Sequence, residues 1–442
     1  MSLRNLLLFV FIVLLSYVCY VRAEQNPYAR YIAASYSVID RWSLVSPPDQ
    51  ELFDGAMDGM IEVLHKRGDE HSMFVDPQER DTFQEDLIQE FGGIGVRILE
   101  LGDPPQLTVV GPPEPGTPAF SADIRAGDRI VAIDGQPTAE MEMRDALRLV
   151  RGEVGTPVTL TVIHPEEKDE TDVKIVRAVI NVESIYGDLR GEGNKWQFLL
   201  GADDRIGYVR ITKFGDKTLD EFTDVLAELN SAGIQGLILD VRDNYGGTLE
   251  AAVGISDLFL RAGQPIVTTR DREEEIRDRF VSTGRGGYLD IPIAVLINHN
   301  SASASEILAA CLQDYHRAVI IGQRSYGKGT VQRIMQIESG RSLLKLTSAT
   351  YWRPSGKNIH RMAEAKESDS WGVKPTTGFE IEMDDDEYLL WRKYRYRRDL
   401  LGEQTDGPLA EELDSQNGGI PNDFRDEALD LAIEYLQSQM GK

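Results

Sequence analysis

The sequence predicts an α/β protein with a mainly parallel sheet at its core, a small β-domain inserted ahead of that core, and helical extensions at both ends. From Ile206 onward strand-like runs alternate with amphipathic helical runs, the pattern of a parallel sheet joined by crossover helices. Between Phe91 and Pro165 the texture is instead one of short β-rich runs broken by Gly and Pro. The flanks carry apolar residues at three-to-four spacing. The expected parts are an export segment at 1–23, a helical arm at 24–87, the β-domain at 88–180, the α/β core at 181–380 and a charged helical region at 381–442.

Composition agrees with a folded chain. Of 442 residues 41% are hydrophobic and 27% charged, which excludes a disordered or fibrous class. The 73 acidic and 47 basic side chains leave a net charge of −26. A surface this acidic repels phosphate backbones, and no basic stripe offsets it, which argues against nucleic acid as a partner.

The first part rests on the apolar run Leu6 to Val21, preceded by Arg4 and followed by Arg22 and Ala23. It falls short of the ~20 residues a spanning helix needs. Small residues at Val21 and Ala23 suit signal-peptidase cleavage before Glu24. The reading is an export signal or an uncleaved membrane anchor, with the remainder of the chain exported. Cys19 lies in this segment, so only Cys311 remains beyond it and no internal disulfide is expected. Cys311 reads as a small buried hydrophobe on a helix.

In the arm, Leu52, Met57, Met60, Ile61 and Leu64 recur at helical spacing. In the β-domain, the helix-like EMEMRDALRLV stands between DRIVAIDGQP and TPVTLTVIHP, and Glu166 to Lys174 reads as a solvated hairpin tip. In the core, IGYVRI, GLILDVR, IAVLIN and AVIIGQ are strands, with helices at LDEFTDVLAELNSAG, after NYGG, and from about Ala304 to His316. The run WRKYRYRRD, flanked by acids, reads as a salt-bridged helix face, and DEALDLAIEYLQSQ as a closing helix.

Chemistry concentrates in Asn298 to Gln332. Gly322-x4-Gly327-Lys328 imitates a phosphate-binding loop, but Gly329 stands where Ser or Thr should follow and the next segment reads as a strand. Ser303-x-x-Glu306 is a capping-box spacing ahead of an apolar helix, so Ser303 alone could be a helix cap. A serine at a helix start, however, has free backbone N–H groups beside it that would stabilise an oxyanion. Asn244-Tyr245-Gly246-Gly247, in the first strand-to-helix turn, can add another.

The hydroxyl still needs a base. None of the six histidines sits in a GxSxG or HExxH context. His316 lies at the far end of the helix, about 20 Å from Ser303 at 1.5 Å per residue. His299 stays a weak alternative. Lys328 is the better candidate, in a turn where Gly327 and Gly329 permit close backbone approach. Gln332, four residues on, shares its face of the strand, and a neutral amide can orient an amine without holding it charged.

These segments resemble the carboxy-terminal processing proteases, Ser/Lys endopeptidases with an embedded PDZ domain. The resemblance spans ELFDGAMDGMIEVL, EHSMFVDP, FGGIGV, AGDRIVAIDGQP, IGYVRITKF, LDVRDNYGG, SASASEI and SYGKGTVQ. It implies a crotonase/ClpP-like core, Ser303 as nucleophile, Lys328 as general base and Gln332 as its orienting partner. The implied oxyanion hole comprises the N–H of Ala304 and that of Gly246 or Gly247. No metal or cofactor is implied. The partners are protein or peptide substrates with free C-termini, captured by a loop at Gly93, Ile94, Gly95 and Val96 and a helix bearing Ala146, Leu147 and Val150. Tyr245 replaces the family's more usual proline, and Ile359 to Lys374 departs further. The location expected is the periplasm or the outer face of the cytoplasmic membrane of a bacterium. The rival reading is a proteolytically silent PDZ scaffold, against which the intact Ser303, Lys328 and Gln332 argue.

Overall fold

In the computed structural model of the chain, the described residues are 4–5, 10–14, 16–17, 26–45, 47–114, 116–165, 167–191, 194–201, 203–401, 419–421 and 423–440. The expected export segment lies largely outside them. The chain forms two compact units, residues 1–76 with 334–346, and residues 77–333 with 347–442.

The last stretch of the expected arm, with the helix Arg80–Ile88, belongs to the second unit; the first holds the arm only as far as Asp76. Its helix Pro27–Trp42 starts where the Asn26 side chain accepts from the Tyr28 N–H, with Pro27 in the first turn. A second helix, Asp49–His65, buries Met57 and Ile61 against Phe74, with Phe53, Leu64 and Leu344 packed around them. Phe74 lies on a short strand, Met73–Val75, paired antiparallel with residues 343–345. The region expected to be wholly helical is therefore interrupted by a strand.

The second unit contains both the β-domain and the α/β core. In the β-domain the strands Ile98–Leu101, Gln106–Val109, Arg129–Ile133, Pro157–Ile163 and Thr171–Val176 pair antiparallel in that order. Val158, Leu160 and Val162 alternate inward, and the helix Met143–Val150 lays Ala146 and Val150 on them. Thr171 to Lys174, expected in a solvated tip, are ladder residues.

The core sheet is built on four parallel strands, Asp203–Ile211, Gly236–Asp240, Ile293–Ile297 and Ala318–Gly322. Gly236–Asp240 and Ile293–Ile297 are buried at every residue, which is why they read as unbroken apolar runs. One face packs against the helices Thr218–Ser231, Leu249–Asp257 and Ala304–Asp314. Cys311 lies there, fully buried, as a packing residue. The other face is covered by Ala428, Leu429, Ala432 and Leu436 of the helix Glu427–Met440.

The charged run forms the helix Asp385–Leu401, opened by a reciprocal pair of bonds between Asp384 and Glu387. Two of its arginines, Arg395 and Arg398, are salt-bridged inward. Arg395, 2% exposed, pairs with Asp188, and Arg398 pairs with the same carboxylate. Beside them Arg242 lies between Asp240 and Asp426, and Trp391 donates its indole N–H to Asp426. Removing one member strands a buried charge. Asp426→Ala is expected to destabilise the second unit by about 3–5 kcal/mol, read as a lower denaturant midpoint.

Candidate active site

Ser303 sits where the strand Ile293–Ile297 turns into the helix Ala304–Asp314, at φ 56° and ψ −111°. A non-glycine residue there is strained, and persists because the surroundings over-determine it. Such a sharp turn presents a nucleophile's side chain beyond the strand end. Ser301 fixes the entry, donating its hydroxyl to Val241 O at 2.8 Å and accepting the Asn298 N–H at 3.0 Å. Asn244 fixes the exit, its carbonyl accepting the Ala302 N–H at 3.0 Å and the Ser305 hydroxyl at 2.9 Å. The two strand-to-helix turns are thereby stitched together.

Gly246 comes directly against the serine. A Cβ placed on it would lie 2.8 Å from Ser303 Cβ and 3.0 Å from Ala304 N, so only glycine leaves space in front of both. Its own N–H donates to Asn244 Oδ1 at 2.8 Å. Gly246 therefore supplies room, and its amide is already engaged. Gly247 presses its Cα side onto Phe214 O, while the Phe214 N–H bonds Gly246 O and the Thr248 N–H bonds Phe214 O.

Glu306 lies one turn into the helix with no exposed surface. Oε2 accepts the Ser303 N–H at 2.9 Å and the Lys328 N–H at 2.8 Å. Oε1 accepts the Gly327 N–H at 2.7 Å and the Ser325 hydroxyl at 2.6 Å. One carboxylate thus ties the backbone of Ser303 to that of Lys328. Burial pushes its acid strength down to a pKa of about 7, against the pull of those four donors. The capping-box reading found the bond to Ser303; the grip on the lysine loop was missed.

Lys328 is half-buried in the loop ahead of the strand Thr330–Ile337, so the segment after the Gly-Lys pair is a strand and no phosphate cradle. Both flanking glycines are required. A Cβ on Gly329 would meet His360 N at 2.1 Å, and one on Gly327 would meet Arg361 Cβ at 2.7 Å. The 359–374 segment responsible is anchored by Arg324, which stacks on the Trp371 ring at 3.3 Å and donates to the carbonyls of Glu367, Asp369 and Trp371. The Gln332 amide donates to Thr330 Oγ1 at 2.8 Å and to Thr347 Oγ1 at 3.5 Å. His299 turns instead to Gln323 and to the Tyr388 ring.

In the β-domain, Gly93 pairs with Ala178, and Gly95 at φ 82° has its missing Cβ position occupied by Thr117. Ile94, Ala146 and Val150 are at most 5% exposed and belong to the domain's core. The other two expected groove side chains, Val96, which packs against that core, and Leu147, are half-buried.

Because the four partners of Glu306 are all donors, protonation sets a fifth donor against them. Turnover is expected to fall as pH drops through about 7. Stability has the opposite sign: the raised pKa gives a contribution that is full below about 4.5 and lost as pH rises through about 7. Glu306→Gln, which aims an amide N–H at backbone donors, is expected to lower kcat on the order of 100-fold. A pH–rate profile of the wild type beside kinetics of the variant checks both.

Comparison with known proteins gives the family. Peptidase family S41 matches residues 205–377 and a PDZ domain matches residues 109–163. The carboxy-terminal-processing protease of Bartonella bacilliformis is 35% identical over 94% of this chain and 90% of that protein. The carboxy-terminal processing protease CtpA of Bacillus subtilis is 32% identical over 75% of this chain and 65% of that protein. Among solved structures, the photosystem II D1 C-terminal processing protease aligns at 25% identity over 81% of this chain and 94% of that one, with a TM-score of 0.44. The chain belongs to the carboxy-terminal processing proteases, serine peptidases of family S41 that carry a PDZ domain.

Proposed function

We propose that this serine peptidase cleaves with Ser303 as nucleophile and Lys328 as general base. The observation that carries the assignment is the Glu306 carboxylate, which holds the backbone N–H groups of both residues on one oxygen. Gly246 leaves open the space in front of Ser303 Cβ and Ala304 N, where a carbonyl carbon and its oxygen would sit.

Ser303 Oγ attacks the scissile carbonyl carbon as its proton passes to neutral Lys328 Nζ. The oxyanion is met by the N–H of Ala304, the first residue of its helix, and by that of Gly247. The tetrahedral intermediate collapses, the C–N bond breaks, and Lys328 returns the proton to the leaving amine. Water, deprotonated by Lys328, then hydrolyses the acyl-enzyme. Gln332 steadies the lysine without holding it charged; its anchorage on the Thr330 hydroxyl fixes the amide for that task.

Substrates are selected by their C-termini, through strand addition and carboxylate capture at Gly93 to Val96, with Leu147 on the facing helix. The core is of crotonase/ClpP type, supported by four parallel strands covered on both faces. The protein acts outside the cytoplasm, in the periplasm or on the outer face of the membrane, supported by the apolar run Leu6 to Val21 and the polar chain beyond it.

Ser303→Ala and Lys328→Ala are each expected to abolish cleavage of an unstructured tail while the fold is kept. The test is a comparison of wild type and Ser303→Ala with products identified by mass; turnover by either variant overturns the assignment. Peptides with a free C-terminal carboxylate should be cleaved with higher kcat/KM than amidated counterparts. Equal values would remove the role given to the PDZ domain.

A further inference from the structure

The helix Asp385–Leu401 lies beyond the region matched by Peptidase family S41, which ends at residue 377. Its first turn nevertheless reaches the turns that build the active site. The Tyr388 hydroxyl accepts the Asn300 Nδ2–H at 2.7 Å and lies 2.9 and 3.1 Å from the two oxygens of Asp243. Burial, and then the Asp243 carboxylate, push this phenol up to about 12, so it remains a protonated donor to Asp243 across the working range.

Asp243 and Asn300 are not peripheral. Asp243 directly precedes Asn244, whose carbonyl holds the Ala302 N–H and the Ser305 hydroxyl on either side of Ser303. Asn300 lies three residues before Ser303 on the strained turn. Asp243 Oδ1 also accepts from the Asn298 and Asn300 amides, each at 2.9 Å, and its N–H donates to Asn298 Oδ1. Asp243 itself has φ 55°, a left-handed conformation that a local network must hold. The C-terminal helix thus supplies two groups to this network, the phenol and the exposed guanidinium of Arg392, 3.6 Å from Asp243 Oδ2, and of the two it is the phenol that hydrogen-bonds one residue from each turn.

The ring is seated as firmly as the hydroxyl. It packs edge-on against His299 at 4.8 Å and stacks near Trp391 at 6.1 Å. Trp391 is in turn bonded to Asp426, the partner of Arg242. Just before the helix, Met383 O accepts from the Gln323 amide, fixing this end of the helix to the exit of the strand Ala318–Gly322.

We propose that Tyr388 is a positioning residue for the reaction, holding the Asp243 and Asn300 turns in the register that aims Ser303. It rests on the reading of Ser303 as nucleophile. Tyr388 acts through those turns and not on substrate, so its loss lowers kcat and leaves KM in place.

The test is Tyr388→Phe in the full chain, which keeps the ring against His299 and Trp391 and removes only the oxygen. Peptide cleavage is expected to show kcat lower by about 10-fold, KM within about twofold, and an unchanged Tm. Asn300→Ala should act in the same direction, and the double variant should lose less than the product of the two single losses. Wild-type kcat in Tyr388→Phe, a fall in kcat that only tracks a fall in Tm, or independent losses in the double variant each overturn the proposal. Should Tyr388→Phe fail to fold, the kcat and KM of Asn300→Ala decide in its place. Ser303→Ala is run alongside: turnover there overturns the nucleophile reading and this proposal with it. An inactive Ser303→Ala beside a fully active Tyr388→Phe overturns this proposal alone.

Discussion

The site is organised around one buried acid. The Glu306 carboxylate is shut away from water and surrounded by four donors, two of them the backbone N–H groups of Ser303 and Lys328. A buried carboxylate costs free energy unless it is bonded on all sides. The cheapest way to satisfy it is to keep the Ser325–Lys328 loop closed on the start of the Ala304–Asp314 helix. Positioning of the lysine loop is therefore enforced by the demand of a buried carboxylate for partners, together with the close packing of Gly327 and Gly329 on the 359–374 segment.

The other interactions at the site serve the same end from different directions. Asn244 binds the two strand-to-helix turns to each other, and Ser301 binds the second turn to the strand end of the first. Gly246, Gly327 and Gly329 are each placed where a neighbouring chain occupies the position of a side chain. All of these features lie at the carboxyl ends of the parallel strands, where open α/β sheets gather their ligands. The strain at Ser303 is borne by this surrounding network.

Much of this was legible in the sequence. Strands buried on both faces, such as Gly236–Asp240 and Ile293–Ile297, announce themselves as unbroken apolar runs. Ser303 and Lys328 stand out because a helix-capping serine and a glycine-flanked lysine occur in one short segment. What stayed hidden depends on partners that carry no local signal. Glu306 looks like a cap because its other donors come from residues up to 22 positions on, and two of them are backbone groups. Arg395 sits in a basic run that gives no direction until Asp188, 207 residues away, is beside it. The Gly246 amide is engaged by a side chain two residues back, a local turn bond that glycine content alone does not reveal. Met73–Val75 is too short for its period to register.

The helix Glu427–Met440, described above as the cover of the sheet's second face, also ties the site to a distant part of the sequence. Arg242 stands one residue before the turn that meets Ser303, yet its Asp426 partner lies 184 positions further along. Without residues 427–440 that face of the sheet, with Tyr208, Ile238 and Leu296 on it, would be bare. The strands that carry Ser303 and its neighbours are thereby coupled, for their own stability, to a helix far away in the sequence.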